Sequence, residues 1–280
     1  MQVISAIDEL RRTVQTWRKA DQSVGFVPTM GNLHAGHLAL LKEAARHCQR
    51  VVASIFVNPL QFDEEDDLLA YPRTLEADMA QLESIGVDTL FTPTEASLYP
   101  HGREAITRVD VVGLGDILEG AARPGHFVGV STVVTKLFNC VQPDLAVFGE
   151  KDFQQWLLVR RLVADLNMPI TLVGLATVRE ADGLAMSSRN RRLTADERKI
   201  APLLYQELQT IRQTLLRENS DYVALEQVAI ERLRQLGFVP EYVAIRDADT
   251  LACINNDTEN RVILAAARLG DTRLIDNLRL

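Results

Sequence analysis

The chain has 280 residues, of which 47% are hydrophobic, and it carries 38 acidic against 30 basic side chains. The net charge of −8 argues against a dedicated nucleic-acid binder, which needs an excess of Lys and Arg against phosphates. The three cysteines lie far apart without a CxxC pair, which excludes a zinc knuckle or disulfide framework and favours a reducing compartment. No stretch reaches the roughly 18 uncharged apolar residues of a membrane span, and the first residues lack the apolar core of a signal peptide. We therefore expect a cytoplasmic protein.

Helix and strand patterns alternate through the first 175 residues. Apolar residues recur at helical spacing over 4–20, and a short apolar strand follows at 24–29. The alternation continues through helix 37–49, strand 51–57, helix 75–85, strand 89–92, helix 131–141, strand 144–148, helix 153–166 and strand 170–175. Such alternation predicts right-handed crossovers between parallel strands, and hence a doubly wound, Rossmann-like α/β domain over residues 1–178.

The remaining residues, 179–280, have a different pattern. Thr194 and Glu197 have the spacing of a capping box, which predicts the start of a long helix ending near Glu218. A second helix is predicted at 222–236. Three strand-like runs follow, at 239–245, 261–268 and 274–278. Helices followed by strands predict a smaller α+β domain, which we interpret as a lid.

The most informative segment, PTMGNLHAGH at 28–37, lies where the first strand ends and a helix begins. Ligands of doubly wound sheets bind at the carboxyl ends of strands, and a helix start offers backbone N–H groups to phosphate. His34 and His37 are three residues apart and should project to the same side. The helix dipole should keep both imidazoles neutral, and a neutral imidazole still donates one N–H to an oxygen that gains negative charge. A metal-binding pair and two helix-capping histidines are the alternatives.

The pattern from His34 to His37 is similar to the HxGH signature of the nucleotidylyltransferase superfamily. Further segments narrow the resemblance: SIFVNPLQF at 54–62, YPRT at 71–74, RPGHF at 123–127, GEKDFQQ at 149–155, and MSSRN at 186–190, which looks like a KMSKS-type lid. As a set they closely resemble the pantothenate synthetase (pantoate–β-alanine ligase) family over about residues 22–192. The acidic run at 63–67 departs from the family's Gly-Pro-Asn stretch, and we expect it to form a solvated flap.

The resemblance implies that ATP and pantoate give pantoyl adenylate and pyrophosphate, and that β-alanine then displaces AMP to give pantothenate. It also implies Mg²⁺ with ATP, no tightly bound organic cofactor and a homodimer. It does not indicate which residues bind the metal. A second hypothesis is an adenylyltransferase that joins AMP to a phosphorylated cofactor precursor. The paired glutamines argue against it, because a phosphorylated acceptor would need more cations. A third is an ATP-sensing binding protein without turnover.

The resemblance also assigns residues. The catalytic residues are His37, His34 and Lys151; the family gives His37 a proton-donor role, although charge stabilisation suits pyrophosphate departure better. The ATP-binding residues are Met30, Gly31, Asn32, Leu33, His34, Ala35, Gly36, His37, Gly149, Glu150, Lys151, Asp152, Val178, Met186, Ser187, Ser188 and Arg189. Gln61 and Gln155 match the family's pantoate-binding glutamines, and Gln61 is also linked there to β-alanine; we add Asn58 as a helper in pantoate binding. Each assignment has a simpler structural alternative. Residues 151 and 152 could form an exposed ion pair, the amides at 61 and 155 could lie on the surface, and the serines at 187 and 188 could only cap a turn.

Overall fold

The computed structural model describes residues 1–62, 65–217, 221–255 and 258–280. Asp63 and Glu64 of the acidic run, and the expected helix end at Glu218, lie outside the described residues. The chain divides into two compact units. The first contains Met1–Glu150 and Gln154–Leu175, and the second contains Lys151–Phe153 and Ala176–Leu280. No helix in the described ranges combines the length and the apolar character needed to cross a membrane.

Six parallel strands form the sheet of the first unit. They are β1 (Gln2–Ile4), β2 (Val24–Thr29), β3 (Arg50–Ile55), β4 (Thr89–Phe91), β5 (Leu145–Gly149) and β6 (Thr171–Leu175). Their order is β1-β4-β3-β2-β5-β6. From β2 the chain proceeds to β3 and β4 on one side of the sheet, and β5 and β6 lie on the other side. The predicted doubly wound sheet is confirmed, and its topological switch point lies between β2 and β5.

Eight helices are described along this part of the chain. They are α1 (Ile7–Lys19), α2 (Ala35–His47), α3 (Glu65–Leu69), α4 (Leu75–Ser84), α5 (Glu95–Leu98), α6 (Glu119–Ala122), α7 (His126–Val141) and α8 (Phe153–Asp165). Short 3₁₀ turns cover Pro59–Gln61 and Glu150–Asp152. The central strands are apolar and buried, as Phe26, Val52 and Ala146 show, which is typical of a sheet covered by helices on both faces.

Two predictions at the helix starts of this unit were wrong. The segment from residue 4 does not begin a helix, because residues 2–4 instead pair with 89–91 as an edge strand and α1 starts at Ile7. Helix α7 begins five residues before the predicted Ser131. Gly125 precedes it with a φ of 80°, a conformation that glycine adopts without strain.

The second unit packs three helices against a three-stranded antiparallel sheet. Its elements are α9 (Ala195–Ile200), α10 (Leu203–Leu215), α11 (Tyr222–Gln235), β7 (Val239–Asp247), β8 (Arg261–Leu269) and β9 (Thr272–Arg279), and the strand order is β7-β8-β9. Leu208 and Ile211 of α10 lie in the same fully buried core as Ile263 of β8. The predicted α+β architecture is therefore confirmed.

The capping box predicted at Thr194 is present. The Glu197 carboxylate accepts from the Thr194 N–H at 2.8 Å, and the Thr194 hydroxyl accepts from the Glu197 N–H at 3.3 Å. The single long helix predicted to follow is wrong. It is interrupted between Ile200 and Leu203, where Pro202 lacks the N–H that would continue the helical hydrogen bonds.

Candidate active site

The turn between β2 and α2 lies at the switch point of the sheet. Gly31 and Asn32 both have positive φ, 82° and 52°, so the chain reverses tightly before the helix begins. A Cβ atom at Gly31 would lie 3.1 Å from both Asp78 Oδ2 and Ile55 Cγ2, closer than normal packing allows. Glycine at 31 is therefore required by backbone conformation and by space.

The buried carboxylate of Asp78, on α4, holds this turn through hydrogen bonds to its backbone. Its carboxylate accepts from the Asn32 N–H at 2.9 Å and from the Leu33 N–H at 2.8 Å, and the Thr74 hydroxyl donates to it at 3.1 Å. Asp78 is only 1% exposed. The sequence analysis missed this residue. One signal was available: Asp78 occupies a position on the apolar face of α4, together with Met79 and Leu82, where a charged side chain needs specific partners.

His34 and His37 cap the start of α2. The Nδ1 atom of His34 accepts from the Gly36 N–H at 3.1 Å, and the Nδ1 atom of His37 accepts from the His34 N–H at 3.3 Å. The two ring centroids are 4.1 Å apart. Because each Nδ1 is an acceptor, a neutral ring carries its proton on Nε2. Capping and donation are thus compatible, since capping uses one ring nitrogen and leaves an N–H on the other.

The metal alternative for this histidine pair finds no support in the described ranges. Among residues 1–62, 65–217, 221–255 and 258–280, no three His, Cys, Asp or Glu side chains form a group that could hold a metal ion. Two imidazoles without a third ligand fall short of the three or four protein ligands typical of zinc sites.

Three of the expected site segments leave adjacent strands at the same edge of the first sheet. Residues 30–37 follow β2, Asn58 and Gln61 follow β3, and Glu150 follows Gly149 at the end of β5. Because parallel strands present their carboxyl ends on one edge, these segments share that edge. Gln155, half-buried, lies in the first turn of α8, beside the buried Gln154, which hydrogen-bonds the backbone at 114, 117 and 119.

Asn58 and Gln61 belong to a buried hydrogen-bonded cluster. Asn58 is 1% exposed, and its Nδ2 donates to Gln61 Oε1 at 3.0 Å and to the Gly129 carbonyl at 3.1 Å. Its Oδ1 accepts from the Tyr99 hydroxyl at 2.7 Å. The carbonyl of Gln61 lies 2.8 Å from His126 Nδ1. The cluster therefore holds both the side chain and the backbone of Gln61.

Gly129 is a second residue that the sequence analysis missed. Helix α7 lies so close to the 59–61 turn that a Cβ at Gly129 would come within 2.2 Å of the Leu60 carbonyl oxygen and 2.7 Å of the Gln61 nitrogen. Only glycine permits this approach. The available signal was a glycine inside a helix, which costs stability and often has a packing reason.

The second unit carries the expected cationic residues. The side chains of Lys151, Ser187, Arg189, Asn190, Arg273 and Asp276 line one small cleft within this unit. Ser187 accepts from the Arg189 N–H at 3.2 Å and so caps the short turn Ser188–Arg192. Ser187 therefore caps this turn, with its hydroxyl oxygen as the acceptor. Met186 donates its N–H to the Val178 carbonyl at 2.9 Å, which ties the segment to the preceding hairpin.

A buried ion pair supports this cleft. The Arg179 guanidinium makes two hydrogen bonds to the Asp276 carboxylate, at 2.6 and 2.9 Å, and stacks 3.5 Å from the centre of the Tyr205 ring. Burial raises the pKa of Asp276, and the Arg179 guanidinium opposes that rise. The neighbouring Asn277 donates to the Lys151 carbonyl at 2.8 Å. Strand β9 therefore fixes the backbone of Lys151, whose own ammonium lies 3.7 Å from Asp152.

The fold and the turn together define the class of protein: a doubly wound α/β protein with an HxGH turn at its switch point, followed by an α+β unit. A family model described as pantoate-beta-alanine ligase matches residues 2–279. The chain therefore belongs to the pantoate–β-alanine ligase family.

Relatives and solved structures agree with this assignment. A pantothenate synthetase of Shewanella oneidensis is 53% identical over 276 residues, covering 98% of this chain and 97% of that protein. The crystal structure of pantothenate synthetase from Thermus thermophilus matches with a TM-score of 0.91 and 47% identity, covering 99% of each chain. That of pantoate-beta-alanine ligase from Francisella tularensis, complexed with beta-gamma ATP and beta-alanine, matches with a TM-score of 0.83 and 35% identity over 99% of this chain and 97% of that one.

Proposed function

We propose that the protein condenses pantoate with β-alanine at the expense of ATP and releases pantothenate, AMP and pyrophosphate. The observation that carries the proposal is the family match over residues 2–279, with the histidine turn at the switch point of the sheet. Family membership favours this activity over an adenylyltransferase for a phosphorylated precursor and over an ATP-sensing protein without turnover.

In the proposed first step, a pantoate carboxylate oxygen attacks the α-phosphorus of ATP and pyrophosphate leaves. Negative charge then grows on the α-phosphate oxygens. The Nε2–H groups of His34 and His37, and backbone N–H groups at the start of α2, are neutral donors already oriented by the capping bonds. Such preorganised donors lower the barrier because they need little rearrangement as the charge develops. We assign His37 charge stabilisation rather than obligatory proton donation.

Cations are proposed for the departing pyrophosphate. Lys151 and Arg189 would bind the β- and γ-phosphates together with the hydroxyls of Ser187 and Ser188, since a guanidinium and an ammonium suit phosphate oxygens. Mg²⁺ with ATP would add charge neutralisation on the same phosphates.

Further residues are proposed for the rest of the nucleotide. Met30, Gly31, Asn32, Leu33, Ala35 and Gly36 would provide the close backbone approach at the turn, and Gly149, Glu150, Val178 and Met186 would contact the adenosine part. Asp152 would bond the ribose hydroxyls. It follows Lys151 in a 3₁₀ turn whose backbone is tied to Asn277, so its position is set by β9.

Pantoate binding is assigned to Gln61 and Gln155, and Gln61 would also contact β-alanine. The Nε2 atom of Gln61 lies 3.1 Å from Met30 Sδ, and a thioether sulfur is a weak acceptor. A carboxylate or hydroxyl oxygen would be a better partner for this donor. Neutral amides bind a carboxylate without cancelling its charge, so its oxygen stays nucleophilic. Asn58 would assist through Gln61, because its own amide is already engaged.

In the proposed second step, the free amine of β-alanine attacks the acyl carbon of pantoyl adenylate, and AMP leaves with one oxygen of the original pantoate carboxylate. The amine loses a proton and the amide bond of pantothenate forms. Proximity of the two reactants should suffice for this step, because the acyl adenylate is a mixed anhydride with a good leaving group. We further propose that the enzyme acts in the cytoplasm, forms a homodimer and has no nucleic-acid partners. Sedimentation velocity measurements test the homodimer.

Exchange of radiolabelled pyrophosphate into ATP tests the first step. With purified enzyme, ATP and Mg²⁺, exchange should require pantoate and should proceed without β-alanine. Adding β-alanine should then give AMP and pantothenate in equal amounts. Absence of pantoate-dependent exchange from folded protein would contradict the proposed function. A product that keeps the nucleotide would instead support the adenylyltransferase hypothesis.

A further inference from the structure

Tyr99 is a buried side chain that the proposed mechanism does not yet use. It is 2% exposed, follows α5, and packs edge-to-face on Phe56 with ring centroids 6.0 Å apart. Its hydroxyl donates to Asn58 Oδ1 at 2.7 Å. Burial raises the pKa of Tyr99, so the hydroxyl keeps its proton and remains a donor at all physiological pH values.

This hydroxyl holds the acceptor end of the Asn58 amide, while two backbone groups determine which way that amide faces. Oδ1 of Asn58 accepts from the Tyr99 hydroxyl and from the Leu60 N–H at 3.3 Å. The opposite end, Nδ2, donates to the Gly129 carbonyl at 3.1 Å. If the amide were reversed, its NH₂ group would face the Leu60 N–H and its oxygen would face the Gly129 carbonyl. A backbone N–H can only donate and a carbonyl can only accept, so one orientation is favoured.

The orientation of Asn58 in turn fixes that of Gln61. Because Asn58 Nδ2 donates to Gln61 Oε1 at 3.0 Å, the acceptor end of the Gln61 amide is already engaged. Its donor end, Nε2, therefore points the other way, toward Met30. The Gln61 backbone is held separately, since its carbonyl accepts from Arg123 at 3.1 Å and lies 2.8 Å from His126. One set of contacts thus holds the backbone of Gln61, and a different residue, Asn58, sets the direction of its amide.

We infer that Tyr99 and Asn58 are positioning residues that direct the donor end of Gln61 toward the oxygens of pantoate. The inference rests on the proposed function, in which Gln61 binds pantoate. It assigns a role to Tyr99, and it places Asn58 behind Gln61 rather than against the substrate. The relay matters only for a substrate that accepts hydrogen bonds at this point, so it should affect pantoate and leave ATP unaffected.

The variant Tyr99→Phe tests the relay, because it keeps the ring on Phe56 and removes only the hydroxyl. We expect the KM for pantoate to rise about tenfold, the typical effect of one lost hydrogen bond, while the KM for ATP stays constant. Tyr222→Phe is the matched control. Tyr222 begins α11 in the second unit, outside every residue proposed for the site, and its ring lies over Arg261. This control should leave both constants unchanged.

A double-mutant cycle separates positioning from a general structural role. The kcat/KM for pantoate is measured for the parent enzyme, Tyr99→Phe, Gln61→Ala and the double variant. If Tyr99 acts through Gln61, removing its hydroxyl should have little further effect once the Gln61 amide is gone. Equal effects of Tyr99→Phe in both backgrounds would overturn the inference, as would an unchanged pantoate KM in the single variant.

Two further outcomes are informative. Should Tyr99→Phe fail to fold by circular dichroism, Asn58→Asp takes its place, because it keeps the acceptor for Tyr99 and removes the donor to Gln61. A pantoate KM unchanged in Asn58→Asp would overturn the relay. A parent enzyme with no pantoate-dependent AMP formation would instead contradict the proposed function, so the two failures are distinguishable.

Discussion

Two buried carboxylates, one in each unit, position the two sets of proposed phosphate-binding groups in different ways. Asp78 in the first unit accepts from two backbone N–H groups and one hydroxyl, and it shapes a turn that presents neutral donors. Asp276 in the second unit binds the Arg179 guanidinium, next to Asn277, which holds the backbone of Lys151. The proposed groups of the first unit are thus held through backbone and hydroxyl dipoles, and those of the second unit through a charge pair. The four predictions below test this difference.

The largest effect is expected when the charged pair is broken. Asp276→Asn leaves the guanidinium of Arg179, whose side chain is only 17% exposed, without its counter-charge. Asparagine also turns an NH₂ group toward the guanidinium, which loses a hydrogen bond as well as its counter-charge. Removing one partner of a buried pair typically costs about 3–5 kcal/mol of unfolding free energy, which outweighs the burial cost that raises the pKa of Asp276. Hydrogen–deuterium exchange of residues 272–279 should report this loss. Asp271→Asn, at an exposed carboxylate of the same hairpin, should leave exchange unchanged. Unaltered protection in Asp276→Asn would contradict a stabilising charge pair.

The neutral donors of the first unit are tested next, through the rate. His37→Ala should lower kcat roughly 10²–10³-fold, the usual effect of losing one preorganised donor to a transition state. His37→Asn, which can still accept from the His34 N–H, separates capping from catalysis and should also be slow. His47→Ala is the matched control on the same helix, because the exposed His47 ring lies at the last turn of α2, where it pairs with Glu43. A kcat near the parent value in His37→Asn would argue for a capping role alone.

Asp78→Asn should have an intermediate effect. Asparagine offers one acceptor oxygen, so one of the N–H groups of Asn32 and Leu33 would face an NH₂ group. A buried donor without an acceptor costs about 1–3 kcal/mol. Tryptophan fluorescence during urea unfolding should detect it, since Trp17 and Trp156 both belong to the first unit. Asp165→Asn, at an exposed ion pair on α8, should stay within about 0.5 kcal/mol of the parent protein. If both variants were equally stable, the hydrogen bonds of Asp78 would not stabilise the turn between β2 and α2.

The smallest expected effect concerns Glu207, a buried carboxylate of α10. Burial raises its pKa, and the single contact with Arg232 at 3.4 Å only partly offsets this. A raised folded-state pKa means that Glu207 favours folding most when it is protonated. That contribution is lost as the pH rises from the ordinary glutamate pKa to the raised one. Glu207→Gln should therefore be more stable than the parent protein at pH 7 by about 0.5 kcal/mol, and equal to it near pH 3. A variant less stable at pH 7 would show that the Arg232 contact outweighs burial.

The sequence predicted the features that depend on neighbours along the chain. The strand–turn–helix at 24–47 has its strand boundaries, its left-handed turn and its capping side chains within one continuous segment. Alternating strand and helix patterns were enough to predict the parallel sheet, because crossover rules leave few arrangements. The break at Pro202 was also visible in the sequence, and the prediction of one long helix neglected it.

The features that the sequence analysis missed depend on contacts between distant segments. Asp78 accepts a hydrogen bond from the N–H of Leu33, 45 residues earlier in the chain. Tyr99 donates one to Asn58, 41 residues earlier. Gly129 meets Leu60 only because α7 crosses the turn after β3. A short edge strand such as β1 is missed for the same reason, since its three residues acquire their conformation by pairing with β4. A single-sequence pattern can mark such a residue as unusual, but it does not identify the distant residue that it contacts.

The central claim is that pantoate is activated by attachment of AMP to its carboxylate. Pantoate labelled with oxygen-18 in both carboxylate oxygens tests this directly, because the label records which bond breaks. The mechanism predicts one labelled oxygen in the AMP released and one in the amide carbonyl of pantothenate, measured by mass spectrometry after a single turnover. Release of ADP together with labelled inorganic phosphate would contradict it, because that result requires attack at the terminal phosphate.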